Sequence, residues 1–194
     1  VQVWRAASLT EWPFGPIFKL LILTGARRSE IGELRWSEVT DHEISLTSER
    51  TKNKTAHVIP LSAPAKAVIE SLPHIAGTDF VFGVKHASGA WGRAKERLDA
   101  KITELSNGKA LAAWRLHDIR RSVATGLQKL GVILQVTEAI LGHTSGSRGG
   151  VVGIYQRHDY ASEKRAALEA WGAHVMALVE GREPGKVVPL HGTR

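Results

Sequence analysis

Residues 17–34 read IFKLLILTGARRSEIGEL, and the reading of this stretch sets the fold. Ile17 to Leu23 is a dense apolar run, too long and unbroken for a surface strand. It reads as a buried helix that stops at Thr24-Gly25, because glycine ends helices in the left-handed conformation without a Cβ penalty. Helical spacing resumes from Arg28 through Ile31 and Leu34. Arg27 therefore falls where one buried helix ends and the next begins. A charge at such a junction needs an anion or a carboxylate to offset its desolvation, and Glu30 lies three residues on. Taken alone, the pair also reads as a surface salt bridge of small value.

Upstream, Trp4, Trp12 and Phe14 are apolar anchors at a domain start. Downstream come three short β-type segments, Leu34 to Val39, Ile44 to Ser48 and Ala56 to Leu61, with turns at Thr40-Asp41-His42 and Thr51-Lys52-Asn53-Lys54. Strands in sequence with short turns predict an antiparallel meander. Ser62-Ala63-Pro64 starts a helix to about Leu72, with Ser as N-cap. Phe80-Val81-Phe82 is a short strand or an anchor. Residues 88–105 place Trp91, Ala94, Leu98 and Ile102 on one helical face. Two more helices, His117 to Leu130 and Ile133 to Leu141, flank Gly131. Asp159 caps a last helix whose Leu168, Trp171, Val175 and Leu178 share a face. After Gly181, Pro184-Gly185 and Pro189 mark a loose tail. The expected fold is α+β and mainly helical, a bundle of helices with a small three-stranded antiparallel sheet.

The chain has 194 residues, 43% of them hydrophobic, which suits one domain with a tail. It has no cysteine, so disulfides and Cys-based zinc sites are excluded. No apolar run approaches the roughly 18 residues of a membrane span, and no signal peptide opens the sequence. Val1 is not a natural initiator, so the chain reads as a fragment. The net charge of +7 suits either a solvated basic surface or a polyanionic partner such as nucleic acid.

Four further features join Arg27 and Glu30. Lys52 sits at a basic hairpin tip, where a flexible ammonium either meets solvent or reaches a groove as a proton donor. His117 and Arg120 lie at i and i+3 on a helix, so two donors converge on one spot, as a phosphate's oxygens require. His143 follows Gly142 at a helix end and also reads as a cap. Tyr155 ends the apolar run Val151-Val152-Gly153-Ile154 and also reads as core. Each alone suits the bland reading. Together they form a set for metal-free phosphoryl transfer: cationic donors, an acid and a nucleophile.

The motifs LLILTGARRSEIGELRW, TKNKTAHVIPL, LHDIRRSVAT, LGHTSGSRGG and VVGIYQRH, in that order, resemble the tyrosine recombinase (phage integrase) family, prophage or genomic-island type. The resemblance runs from Trp4 to about Gly181 and covers the catalytic domain only. It implies a catalytic domain over 1–181, a C-terminal tail over 182–194, and no N-terminal DNA-binding domains in this chain. It implies a DNA recombinase working through a 3′-phosphotyrosine link, without cofactor or metal. Arg27, His117, Arg120 and His143 would stabilise the transition state, with Glu30 supporting Arg27. Lys52, rather than Lys54, would be the general acid and Tyr155, rather than Tyr160, the nucleophile. Arg28, Lys54, Arg121 and Arg148 are the expected DNA contacts, and residues 145–150 a hinge for the Tyr155 arm. The implied partners are double-stranded DNA attachment sites, with a homotetramer on DNA and a monomer when free. The implied location is the cytoplasm of a bacterium, the gene being bacterial or phage-borne. The alternatives are type IB topoisomerase-like relaxation, which uses the same set, and a non-catalytic DNA-binding module with Leu127 to Leu141 as a helix-turn-helix.

Overall fold

The computed structural model describes residues 1–83, 88–143 and 159–183. Tyr155, Arg148 and the hinge expected over 145–150 lie outside the described residues. The helix read from Ile17 to Leu23 is α2 (Phe14–Thr24), and Gly25 ends it at φ +64°. Ile17, Phe18, Leu20, Leu21 and Leu23 are all buried, because α2 runs through the middle of the molecule. It packs against α1 (Gln2–Ser8), α3 (Arg28–Gly32), α4 (Ala63–Glu70), α6 (His117–Lys129) and α8 (Ala161–Val179). The remaining α-helices of the described residues are α5 (Ser88–Leu105) and α7 (Leu134–Ile140). Among the described residues no helix is long and apolar enough to cross a membrane.

The sheet has two strands, β1 (Glu43–Leu46) and β2 (His57–Pro60), antiparallel with Ile44 opposite Ile59 and Leu46 opposite His57. The third strand expected over Leu34 to Val39 is not formed. The Glu38 carboxylate accepts the Arg35 backbone N–H at 3.0 Å, which winds Trp36–Glu38 into a single 3-10 turn. The polar groups on either side go elsewhere. Trp36 N–H donates to the Asp79 carbonyl and Val81 N–H to that of Leu34. Only isolated bridges remain, Arg35 with Phe80 and Val39 with Ile44.

Trp91, Ala94, Leu98 and Ile102 are buried, as their spacing requires. The N-cap of α8 is Tyr160, at φ +54°, rather than Asp159, which stands one residue earlier and accepts the Ala161 N–H at 3.1 Å. Leu168, Trp171 and Val175 are buried, but Leu178 is 40% exposed, on the rim of a shallow apolar groove shared with Val1 and Trp4. Ser62 precedes α4 without giving it a side-chain cap. The Ala63 N–H is taken instead by Glu169 of α8 at 3.0 Å, so a tertiary contact replaces the local one.

Candidate active site

The site is built at the α2–α3 junction. Gly25 stops α2 and Arg27 opens α3 in extended conformation. Glu30, one turn into α3 and 1% exposed, holds Arg27 twice. Its Oε2 accepts the Arg27 backbone N–H and its Oε1 accepts from Nη1, each at 2.7 Å. The pair is therefore no surface bridge. Nη2 of Arg27 reaches the Gly142 carbonyl at 3.3 Å.

Arg120 comes from the first turns of α6 and is 5% exposed. Its Nη1 donates to the Gly25 carbonyl at 2.6 Å and its Nη2 to the Leu141 carbonyl. Burial, and then the nearby Arg27, lower its pKa to about 10, so it stays charged at neutral pH. The two guanidiniums are thus pinned to the same turn, Leu141-Gly142, from two sides. The Asn53 amide also donates to the Gly142 carbonyl, at 2.9 Å.

Arg27, Lys52, His117 and Arg120 line one cleft of about 680 Å³, together with Arg28 and Arg115. Trp91, Lys95 and Trp114 also line it. There the Lys95 ammonium lies 4.0 Å from the Trp114 ring centroid, and Asp99 accepts the indole N–H at 2.9 Å. His143 sits at the other side of the Leu141-Gly142 turn, facing a second cleft with His57 and Lys164. Burial and the neighbouring Arg120 hold His117 and His143 below the ordinary histidine pKa, so both are neutral at pH 7.

The hairpin that carries Lys52 is anchored at its base. Arg50 donates Nε to Glu38 at 2.6 Å and Nη2 to the Glu33 carbonyl at 2.7 Å. Thr51, buried, donates to the Thr55 carbonyl and accepts the Thr55 N–H, which closes the tip. Lys52 lines the cleft; Lys54, at φ +54° and exposed, does not. Arg121 points to solvent and pairs with Asp118 at 2.9 Å. Tyr160 is partly buried against the core at the start of α8.

Arg27, Arg28, Glu30, Lys52, His117 and Arg120 are thus brought together, with His143 adjacent, whereas Lys54 and Arg121 stand apart. Sequence reasoning did not find Arg50, Asn53, His57 or Arg115. The basic spacing around Lys52 marks the hairpin tip, but nothing local shows that Arg50 folds back or that Asn53 reaches Gly142. His57 has one local signal, its inward register with Ile59 on a half-buried strand.

A mainly helical domain, a small antiparallel sheet and two arginines fixed at one cleft define the class as an integrase-type catalytic fold. The solved catalytic domain of bacteriophage HP1 integrase shares it, with a TM-score of 0.51 and 20% identity, over 92% of this chain and 88% of that one. Residues 9–162 match the phage integrase family, and the chain belongs to it. It is 27% identical over 178 residues to prophage integrase IntA of Escherichia coli strain K12, covering 90% of this chain and 41% of that protein. It is 32% identical over 133 residues to a shufflon-specific DNA recombinase of Escherichia coli, covering 66% of this chain and 31% of that protein. The chain therefore spans less than half the length of these relatives.

Proposed function

We propose that this chain is the catalytic part of a site-specific DNA recombinase that cuts and rejoins strands through a 3′-phosphotyrosine intermediate. The observation that carries the reading is the convergence of Arg27 and Arg120 on the carbonyls of the Leu141-Gly142 turn, beside one cleft with Lys52 and His117. The catalytic domain is read as 1–181 and the tail as 182–194.

The Tyr155 hydroxyl oxygen attacks the scissile phosphorus in line and gives up its proton to solvent as the O–P bond forms. Arg27, Arg120 and the neutral His117 and His143 donate to the non-bridging oxygens as charge builds on them. The P–O5′ bond breaks and Lys52 supplies a proton to the departing 5′-oxygen. Attack by a partner strand's 5′-hydroxyl reverses the step and frees the tyrosine, so the phosphoester bond is conserved. Glu30 holds Arg27 in aim. Lys52 is preferred to Lys54 because it lines the cleft. Tyr155 is assigned from its sequence context, and Tyr160 is disfavoured by its packing against the core. Arg28 is the best-placed further DNA contact; Lys54, Arg121 and Arg148 complete the set proposed from sequence.

The partners are attachment-site duplexes, with four copies assembled on DNA, a monomer when free, and a cytoplasmic location. Trapping on a nicked suicide duplex tests the reading. The parent forms a covalent protein–DNA adduct and Tyr155→Phe forms none while binding as before. An adduct with Tyr155→Phe but none with Tyr160→Phe overturns the nucleophile assignment.

A further inference from the structure

His57 is the buried group beside the site that the proposed chemistry leaves unused. It sits on β2 opposite Leu46 and is 7% exposed. Its ring lies against Gly142. A Cβ added to that glycine would stand 3.2 Å from Cε1, 3.2 Å from Nδ1 and 3.3 Å from Cδ2. Near-equal distances to three ring atoms place the glycine over the face of the imidazole rather than at its edge. Nε2 is buried and has no hydrogen-bond partner among the described residues. The ring thus meets the turn by shape, and the turn is where the site's anchors are. The Leu141 carbonyl holds Arg120, and the Gly142 carbonyl holds Arg27 and Asn53.

We propose that His57 is a positioning residue: its flat ring props the Leu141-Gly142-His143 turn, and the carbonyls of that turn aim Arg27 and Arg120 at the phosphate. The inference rests on the strand-transfer reading above and concerns the same site. Close packing transmits displacement, so a void under the turn moves both anchors together. The ring's charge state suits the place. It faces Glu30 on α3, Lys164 on α8, Arg120 on α6 and Arg27 at the α2–α3 junction. Burial, with three cations against one carboxylate, lowers its pKa to about 4 and keeps it neutral at neutral pH. A neutral ring can lie beside two guanidiniums without adding a third charge to repel them.

The test uses the full chain and the nicked suicide duplex, with single-turnover cleavage rate and DNA affinity read separately. His57→Ala slows cleavage by on the order of 10- to 100-fold, the cost of a small misplacement of catalytic groups, and lowers DNA affinity by much less than it lowers the rate. His57→Phe, which refills the volume with a flat ring, restores the rate to near the parent's. Gly142→Ala slows cleavage in two ways, by pressing a methyl group on the ring and by placing a side chain on a backbone at φ +57°. Combined with His57→Ala it costs less than the product of the single losses, because the two act at one contact. Should His57→Ala not fold, two arms still decide: a folded His57→Phe well below the parent rate, or Gly142→Ala at the parent rate, overturns the proposal. Cleavage by His57→Ala at the parent rate overturns the proposal, as does a folded His57→Phe as slow as His57→Ala, or rate losses that simply multiply. If the parent itself forms no adduct, the strand-transfer reading fails and takes this inference with it; if the parent does, only this inference is at stake.

Discussion

At Arg120 a guanidinium fork spans two backbone carbonyls, Gly25 at the end of α2 and Leu141 at the end of α7. A lysine has no planar fork and cannot serve both directions from one stem. Arg120→Lys is therefore expected to lose about 1–3 kcal/mol of stability, the cost of a buried acceptor left without its donor. It is also expected to lose roughly 100- to 1000-fold in cleavage rate, the scale of one removed transition-state donor. Urea unfolding and single-turnover cleavage measure the two, and parental values in both would sink the argument. His57 makes a pH prediction. Its folded pKa of about 4 lies below the ordinary 6.5, so the unfolded chain binds the proton more readily. Its contribution to stability is complete above pH 6.5 and is lost as the pH falls from there towards 4. The slope is at most about 1.4 kcal/mol per pH unit for one proton. Unfolding free energies at pH 7, 6 and 5 should fall more steeply for the parent than for His57→Phe; identical slopes would exclude His57 as the source. Arg27, His117 and Arg120 were legible as residue types at definite spacings. The partners that fix them were not, since Gly142 is 115 residues from Arg27.

At the scale of elements, two helical glycines in the described structure show why helix packing has to be seen rather than read. Gly126 lies on α6 where the Trp171 ring of α8 crosses it, and a Cβ there would stand 2.1 Å from the ring. Gly92 on α5 has nothing within 4 Å of the same position. Gly126→Ala is expected to destabilise by about 1–3 kcal/mol through overpacking. Gly92→Ala is expected to stabilise by roughly 0.5–1 kcal/mol, because alanine loses less backbone entropy in a helix. Thermal melts should move in opposite directions, and a shared sign would refute the packing account. Periodicity located α5, α6, α7 and α8 well, because each buries one face, and the dense apolar run located α2, which is buried on nearly all sides. It missed α1, which is short, and it took residues 34–39 for a strand. There Glu38 bonds back to Arg35 and Asp79 supplies the Trp36 N–H with a carbonyl, neither of which an apolar pattern records.

Across the whole molecule the net charge is +7, and Arg27, Arg28, Lys52 and Arg120 are among the cations that line one cleft. If these four meet DNA phosphates, the logarithm of the binding constant should fall with the logarithm of salt at a slope of about −3 to −4. A titration from low to high salt measures it, and a slope near zero would remove DNA from the reading of the cleft. The sequence by itself determined the helical order, the Gly25 stop, and the residue types of the site with their order along the chain. These follow from local rules: side-chain period, the glycine's lack of a Cβ, and chemical identity. Only the tertiary structure decided that residues 34–39 close a turn rather than add a strand, and that Lys52 rather than Lys54 faces the cleft. It alone placed His57 under the Gly142 turn, where both arginines are held. Those outcomes depend on which backbone carbonyls and carboxylates lie within hydrogen-bond reach after the chain has folded. The packing of α2 against α6 and α8, and of α8 against β2, sets that reach, and no stretch of sequence contains it.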